Sequence, residues 1–140
     1  MVVRVVDGDT IEVDMDGNRS LVRLIGIDTP EKTGGILPPE CFGDEATSVT
    51  STLLTPGAPV FLERDVELHD RSDRLLAYVH RSQDGLFVNH YLVDAGAAVA
   101  KTYEPNSFHA EILHDAERQA RAANRGLWQV CGGPDQPLQS

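Results

Sequence analysis

Val2–Val6 is an apolar run broken only by Arg4, and Thr10–Asp14 alternates Ile11 and Val13 with polar neighbours; both stretches predict strands. Asp16-Gly17 is a hairpin turn signal. Ser20–Ile27 predicts a third strand, with Leu21, Arg23, Ile25 and Ile27 on one face and Val22, Leu24 and Gly26 on the other. A loop rich in Gly and Pro follows. Asp44–Leu54 predicts a helix, because Ala46, Val49, Leu53 and Leu54 recur at helical spacing before Pro56 and Pro59 end it. Pro59–Arg64 and Arg74–Arg81 predict two more strands, and Phe87–Ala95 a short helix stopped by Gly96. The last helix has Asn106 or Ser107 as cap and an apolar stripe of Phe108, Ile112, Leu113, Ala116, Ala120 and Ala123. Gly126 stands where a C-terminal glycine belongs, and Leu127 and Trp128 turn back toward the body.

This order predicts an α+β, mainly β fold: a five-stranded β-barrel of the OB type with about three helices. A two-layer α+β sheet is the alternative. The 140 residues suit one domain, here residues 1–130, followed by a flexible tail over 131–140. No run approaches the roughly 20 apolar residues of a membrane helix, so no membrane partner is expected. No signal-peptide pattern follows Met1, so a secreted form would be a mature or trimmed product.

With 22 acidic and 12 basic residues the formal net charge is −10, which argues against bulk attraction to nucleic acid. Arg64, Arg71, Arg74 and Arg81 nevertheless cluster, so a local cationic site remains open. Cys41 and Cys131 lie too far apart in sequence for a CxxC pattern; they form one bridge or remain two free thiols, and the bridge is the expectation. Closing a loop of about 90 residues is worth roughly 4–5 kcal/mol in the chain-entropy model. The five histidines are scattered over different elements, which gives no zinc-ligand spacing.

The chemistry concentrates in two stretches, VVDGDTIEV and RLIGIDTPE. Arg23 falls among apolar strand positions, where an unpaired charge is costly. It pairs with a carboxylate or lines a cavity that receives an anion. Asp7, Asp9, Asp28 and Glu31 all lie at ends of adjacent predicted strands, about 4.8 Å apart. Carboxylates that close repel unless a proton or cation intervenes, and their hard oxygens favour Ca²⁺ or Mg²⁺. An EF-hand is excluded, since Ile11 stands where the third ligand belongs.

VVDGDTI, RLIGIDTPE, HDRSDRLLAY, YEPNSFH and GLW, in this order from about residue 3 to 128, resemble the staphylococcal nuclease (thermonuclease) family. The family fold is an OB barrel decorated with three helices. The resemblance implies that Asp9, Asp28 and the Thr29 carbonyl hold one catalytic Ca²⁺, with Asp7 a nearby supporting acid. It implies that Glu31 orients or deprotonates the attacking water, and that Arg23 and Arg74 grip the scissile phosphate. Arg71, Lys101 and Tyr103 are the implied substrate contacts. The implied activity is hydrolysis of single-stranded or denatured DNA and of RNA, with little sequence preference and 3′-phosphate products, by an extracellular monomer; a cytoplasmic or phage-encoded enzyme is the alternative setting.

Four positions, at three contacts, depart from the family pattern. Ser72 and Asp73 replace an aromatic and a glycine before Arg74, Lys101 replaces a tyrosine, and Leu37 replaces a lysine. With the acidic composition, these predict weaker, more salt-sensitive binding than in a basic homologue. The alternative function is a catalytically weak nucleic-acid or protein binding module. A degenerate module would lose several of Asp9, Arg23, Asp28, Glu31 and Arg74, and all five are present.

Overall fold

The alternating strands find their partners in the computed structural model, which describes residues 1–138. β1 (Val2–Asp7), β2 (Thr10–Met15) and β3 (Asn18–Leu24) form an antiparallel meander. The β2–β3 turn has Asp16 and Gly17 both at positive φ, the geometry that matches the twist of a tight hairpin. After β3 come the two-residue β4 (Ile27–Asp28), helix α1 (Gly43–Leu53), β5 (Val60–Glu63) and β6 (Leu75–Arg81). Helix α2 (Val88–Asp94), the short β7 (Val99–Ala100), helix α3 (Ala110–Ala122) and the single turn α4 (Leu127–Val130) complete the chain.

The five longer strands form one sheet in the order β1-β2-β3-β6-β5, with β3 and β6 parallel. Its two edges meet where Val2 donates to the Ala58 carbonyl and accepts from Gly57 N–H, at 2.9 and 2.7 Å. This is the mainly β OB-type barrel expected, with α1, α2 and α3 packed on it. The core holds Ile11, Val13, Val22 and Leu24 from the meander, Tyr78 and Val79 from β6, and Leu92 and Leu113 from α2 and α3. Among the described residues no helix is long and apolar enough to cross a membrane.

Several boundaries differ from the sequence reading. The third strand stops at Leu24 rather than Ile27, because Gly26 adopts a φ of +79° and turns the chain. Ile27 and Asp28 then pair with Ala100 and Val99 in a separate two-stranded sheet. Arg23 therefore does not share a strand face with Ile25 and Ile27.

The last helix begins later than expected. Neither Asn106 nor Ser107 caps it: His109 is the boundary residue and makes no capping bond. Asn106 is buried and turns its amide to Glu67, accepting from Glu67 N–H and donating to its carbonyl. Phe108 and Ile112 are exposed, so the buried stripe reduces to Leu113, Ala116 and Ala120. The left-handed residue after α3 is Asn124, while Gly126 opens α4.

Of the tail expected over 131–140, residues 139–140 lie outside the described residues. Before them, Gln136 and Leu138 make main-chain hydrogen bonds to Cys41 and Pro39. Cys41 and Cys131 form a disulfide with Cα atoms 6.0 Å apart.

Leu92 is fully buried, so Leu92→Ala should cost about 2–5 kcal/mol, read as a lower urea midpoint at unchanged slope. A second prediction concerns Asp65. Burial works to raise its pKa, but hydrogen bonds from Phe108 N–H, Tyr78 O–H and Val66 N–H outweigh it and hold the carboxyl below the usual range. A depressed folded-state value contributes stability that is present above the unfolded pKa of about 3.9 and lost as pH falls through the folded value. Asp65→Asn should therefore lower Tm at pH 7, and the gap to wild type should close as pH drops below about 4.

Candidate active site

The turn from β1 into β2 carries Asp7, Gly8 and Asp9, and the structure explains the glycine between two acids. A Cβ on Gly8 would stand 2.8–2.9 Å from the side-chain atoms of Thr29, so only glycine lets the chain after β4 pass this close. Thr29 N–H donates to Asp9 Oδ2 at 3.1 Å, and Thr50 of α1 donates to the Gly8 carbonyl at 2.7 Å. Asp9 N–H donates to Asp7 Oδ1 at 3.1 Å. Two distant segments of chain are thereby locked around Asp9, which is only 8% exposed.

Arg23 stands opposite Thr10 in the β2–β3 ladder. Its Nη2 lies 3.3 Å from Asp9 Oδ2 and 3.7 Å from Asp28 Oδ1, and it donates to the Ile27 carbonyl at 3.1 Å. Nη1 donates to the Leu24 carbonyl. The cation is thus surrounded by oxygen acceptors rather than aliphatic side chains, which resolves the cost of burying it. Arg23 is paired with carboxylates, and it also lines a cleft.

The acids outnumber the cations here. Burial, then the charge of Asp9, pushes Asp7 up to about 6. Burial and Asp9 raise Asp28 as well, against the opposing pull of Arg23 and Lys101, whose Nζ is 4.0 Å from Asp28 Oδ2. Glu31 is raised first by burial and then by Asp9, Asp7, Glu40 and Asp28. Among the described residues no three His, Cys, Asp or Glu side chains are grouped to hold a metal ion. What does come together is two hard-oxygen carboxylates, Asp9 and Asp28, around the Arg23 guanidinium, with Thr29 meeting Asp9 through its N–H.

Next to this cluster opens a cleft of about 730 Å³. Arg23, Arg71, Arg74, Tyr103 and Asn106 are among its lining residues. Arg74 is held by Asp70: Nε donates to Asp70 Oδ2 at 2.7 Å and its N–H to Oδ1 at 2.9 Å. Asp70 also accepts from Ser72 N–H, and although burial opposes it, these bonds and the Arg74 charge lower its pKa. Asp73 sits at a φ of +61°, the left-handed conformation usually given to glycine, so the turn survives that departure. Tyr103 is half exposed, with Lys101 Nζ 5.4 Å from its ring centroid. Lys101 is not among the cleft-lining residues and stands between Tyr103 and Asp28.

The structure therefore gathers Asp7, Asp9, Arg23, Asp28, Thr29 and Glu31 on one side, and Arg71, Arg74 and Tyr103 in the adjoining cleft, with Arg23 shared. The sequence reading missed Asp70, for which an acid four positions before Arg74 was the available signal. It also missed Thr50 and Glu40, whose partners are distant in sequence and left no signal. His109 and His80 both place Nε2 on Glu63, away from the cleft, and His114 meets Thr102. Tyr78 is core, whereas Trp128 is half-buried beneath the Arg121 guanidinium, 5.3 Å from its centroid.

Comparison with known proteins accords with this arrangement. Residues 21–130 match the family model described as staphylococcal nuclease homologue. The thermonuclease of Staphylococcus hyicus is 40% identical over 127 residues, covering 91% of this chain and 73% of the relative. That of Staphylococcus intermedius is 40% identical over 129 residues, covering 92% and 75%. Endonuclease YncB of Bacillus subtilis is 34% identical over 135 residues, covering 92% of this chain and 61% of its own length. With a barrel of the expected order, and with its acids and arginines drawn from the same segments that carry the motifs, the chain belongs to the staphylococcal nuclease family.

Proposed function

We propose that this chain is a calcium-dependent nuclease that hydrolyses DNA and RNA with little sequence preference, leaving 3′-phosphate and 5′-hydroxyl ends. The observation that supports it most is the placement of Arg23, which contacts Asp9 and Asp28 and lines the same cleft as Arg74. The nuclease part of the reading also rests on thermonuclease and endonuclease relatives.

In this reading Asp9, Asp28 and the Thr29 carbonyl hold one Ca²⁺. Their hard oxygens would suit such an ion. The bound ion would offset negative charge on the phosphoryl oxygens. Asp7 adds charge to the same corner and orients the turn by accepting from Asp9 N–H.

Arg23 and Arg74 grip the phosphodiester, and their planar forks suit its paired oxygens better than lysines would. Glu31 orients a water and accepts its proton; burial and neighbouring acids raise its pKa, which strengthens it as a base. The water oxygen bonds to phosphorus, the P–O5′ bond breaks, and the 5′ oxygen takes a proton from solvent to leave as the hydroxyl. Tyr103 offers a ring face to a splayed base, and Arg71 and Lys101 meet the strand around it. The narrow set of cations in an otherwise acidic chain favours single-stranded or denatured substrate held weakly and in a salt-sensitive way. The disulfide fits an oxidising compartment, which supports an extracellular setting, and a monomer satisfies the site.

Cleavage of denatured DNA should occur with Ca²⁺ and stop with a chelator. Glu31→Gln should lower kcat by about 10²–10⁴ and Arg74→Ala kcat/KM by about 10²–10³. Chelator-insensitive cleavage, or full activity in both variants, rejects the mechanism; binding without cleavage in wild type points instead to a binding module. Asp70→Ala should reduce kcat/KM about tenfold with the circular dichroism spectrum unchanged, because Arg74 loses a charge-assisted bond.

A further inference from the structure

The chain between β4 and α1 leaves the barrel at Glu31 and returns at Glu40, and the neck of this loop is tied twice. Glu31 N–H donates to Glu40 Oε1 at 2.9 Å, and Glu40 N–H donates to the Glu31 carbonyl at 2.9 Å. Glu40 is gripped from its other side by the C-terminal segment. Cys41 N–H donates to the Gln136 carbonyl at 2.8 Å, Leu138 N–H donates to the Pro39 carbonyl at 3.1 Å, and Glu40 pairs with Pro137 in an antiparallel bridge. The Cys41–Cys131 disulfide anchors the start of that segment beside the same neck. Glu40 borders a small cavity with Asp28 and Thr29, and its hydrogen bonds toward the acid cluster run to Glu31.

We propose that this disulfide-tied C-terminal strap is a positioning device for Glu31, acting through Glu40. The inference rests on the role assigned above to Glu31. The physical reason is entropic. Glu31 stands at the edge of a Gly- and Pro-rich loop, and each free residue there adds conformations that move its carboxylate off the water. A base misplaced by an ångström loses much of its effect. The strap holds Pro39 and Cys41, which fixes Glu40 between them, and the Glu40 carboxylate then fixes the Glu31 main chain. A dithiol reductant opens the device: two electrons and two protons convert the disulfide to two thiols, and the reductant becomes a cyclic disulfide.

The test compares full-length wild type, Glu40→Ala, Glu40→Gln and the double variant Cys41→Ser/Cys131→Ser on denatured DNA with Ca²⁺. Glu40→Ala should lower kcat about tenfold, with KM within about twofold, since the arginines that hold substrate are untouched. Glu40→Gln keeps an oxygen that accepts from Glu31 N–H and should restore kcat to within about twofold. Amide exchange at Glu31 should speed up about tenfold or more in Glu40→Ala and in the disulfide variant, and stay slow in Glu40→Gln. Unchanged kcat and unchanged Glu31 exchange in Glu40→Ala overturn the proposal, as does a Glu40→Gln as impaired as Glu40→Ala. Should the disulfide variant fail to fold, the Glu40 pair decides. An inactive wild type counts against the nuclease reading, while the Glu31 exchange still tests the strap on its own.

Discussion

The site is organised around a shortage of positive charge. Asp9 and Asp28 share one guanidinium, Asp7 hydrogen-bonds into the same turn, and Glu31 feels all three. In water such acids would separate. Here they stay together because Asp9 is pinned by Thr29 N–H and the β1–β2 turn by Thr50 from α1. The repulsion appears as raised pKa values at Asp7, Asp28 and Glu31, with burial the leading cause at each. A corner that repels itself in this way would be relieved by a proton or a cation.

The two arginines are held by different means, and this divides their work. Arg23 extends from a barrel strand into carboxylates and carbonyls that restrain it on several sides. Arg74 emerges from a surface turn and owes its direction to Asp70, which caps that turn through Ser72 and Arg74 N–H groups and pairs with the guanidinium. One cation is set by the sheet and the other by a local turn, so the turn can change sequence while the geometry stays. Asp73 shows the tolerance directly: it accepts the left-handed backbone that glycine would adopt more cheaply. The cost falls on charge, since an acid stands next in sequence to Arg74.

Much of the fold was legible because its signals are local. Alternation at Ile11 and Val13, the Asp16-Gly17 turn and the spacing of Leu113, Ala116 and Ala120 each act within a few residues, and each sits in the expected element. The errors share one cause, a distant partner overriding a local preference. Asn106 looks like a helix cap until Glu67 takes its amide. The strand at Ile27 looks continuous until Gly26 turns it toward Ala100.

For the site, residue types and their separation along the chain determined which groups were available: acids in two motifs, two arginines at matching positions and a pair of cysteines. Motif resemblance carried that list because chemistry constrains residue identity directly. What only the tertiary structure decided was who faces whom. Asp70 under Arg74 was within reach of a helix-like spacing argument, but Thr50 on Gly8 and Glu40 on Glu31 arise from loops folding back over the barrel. Such contacts depend on chain paths through space, and a linear string of residues carries no record of them.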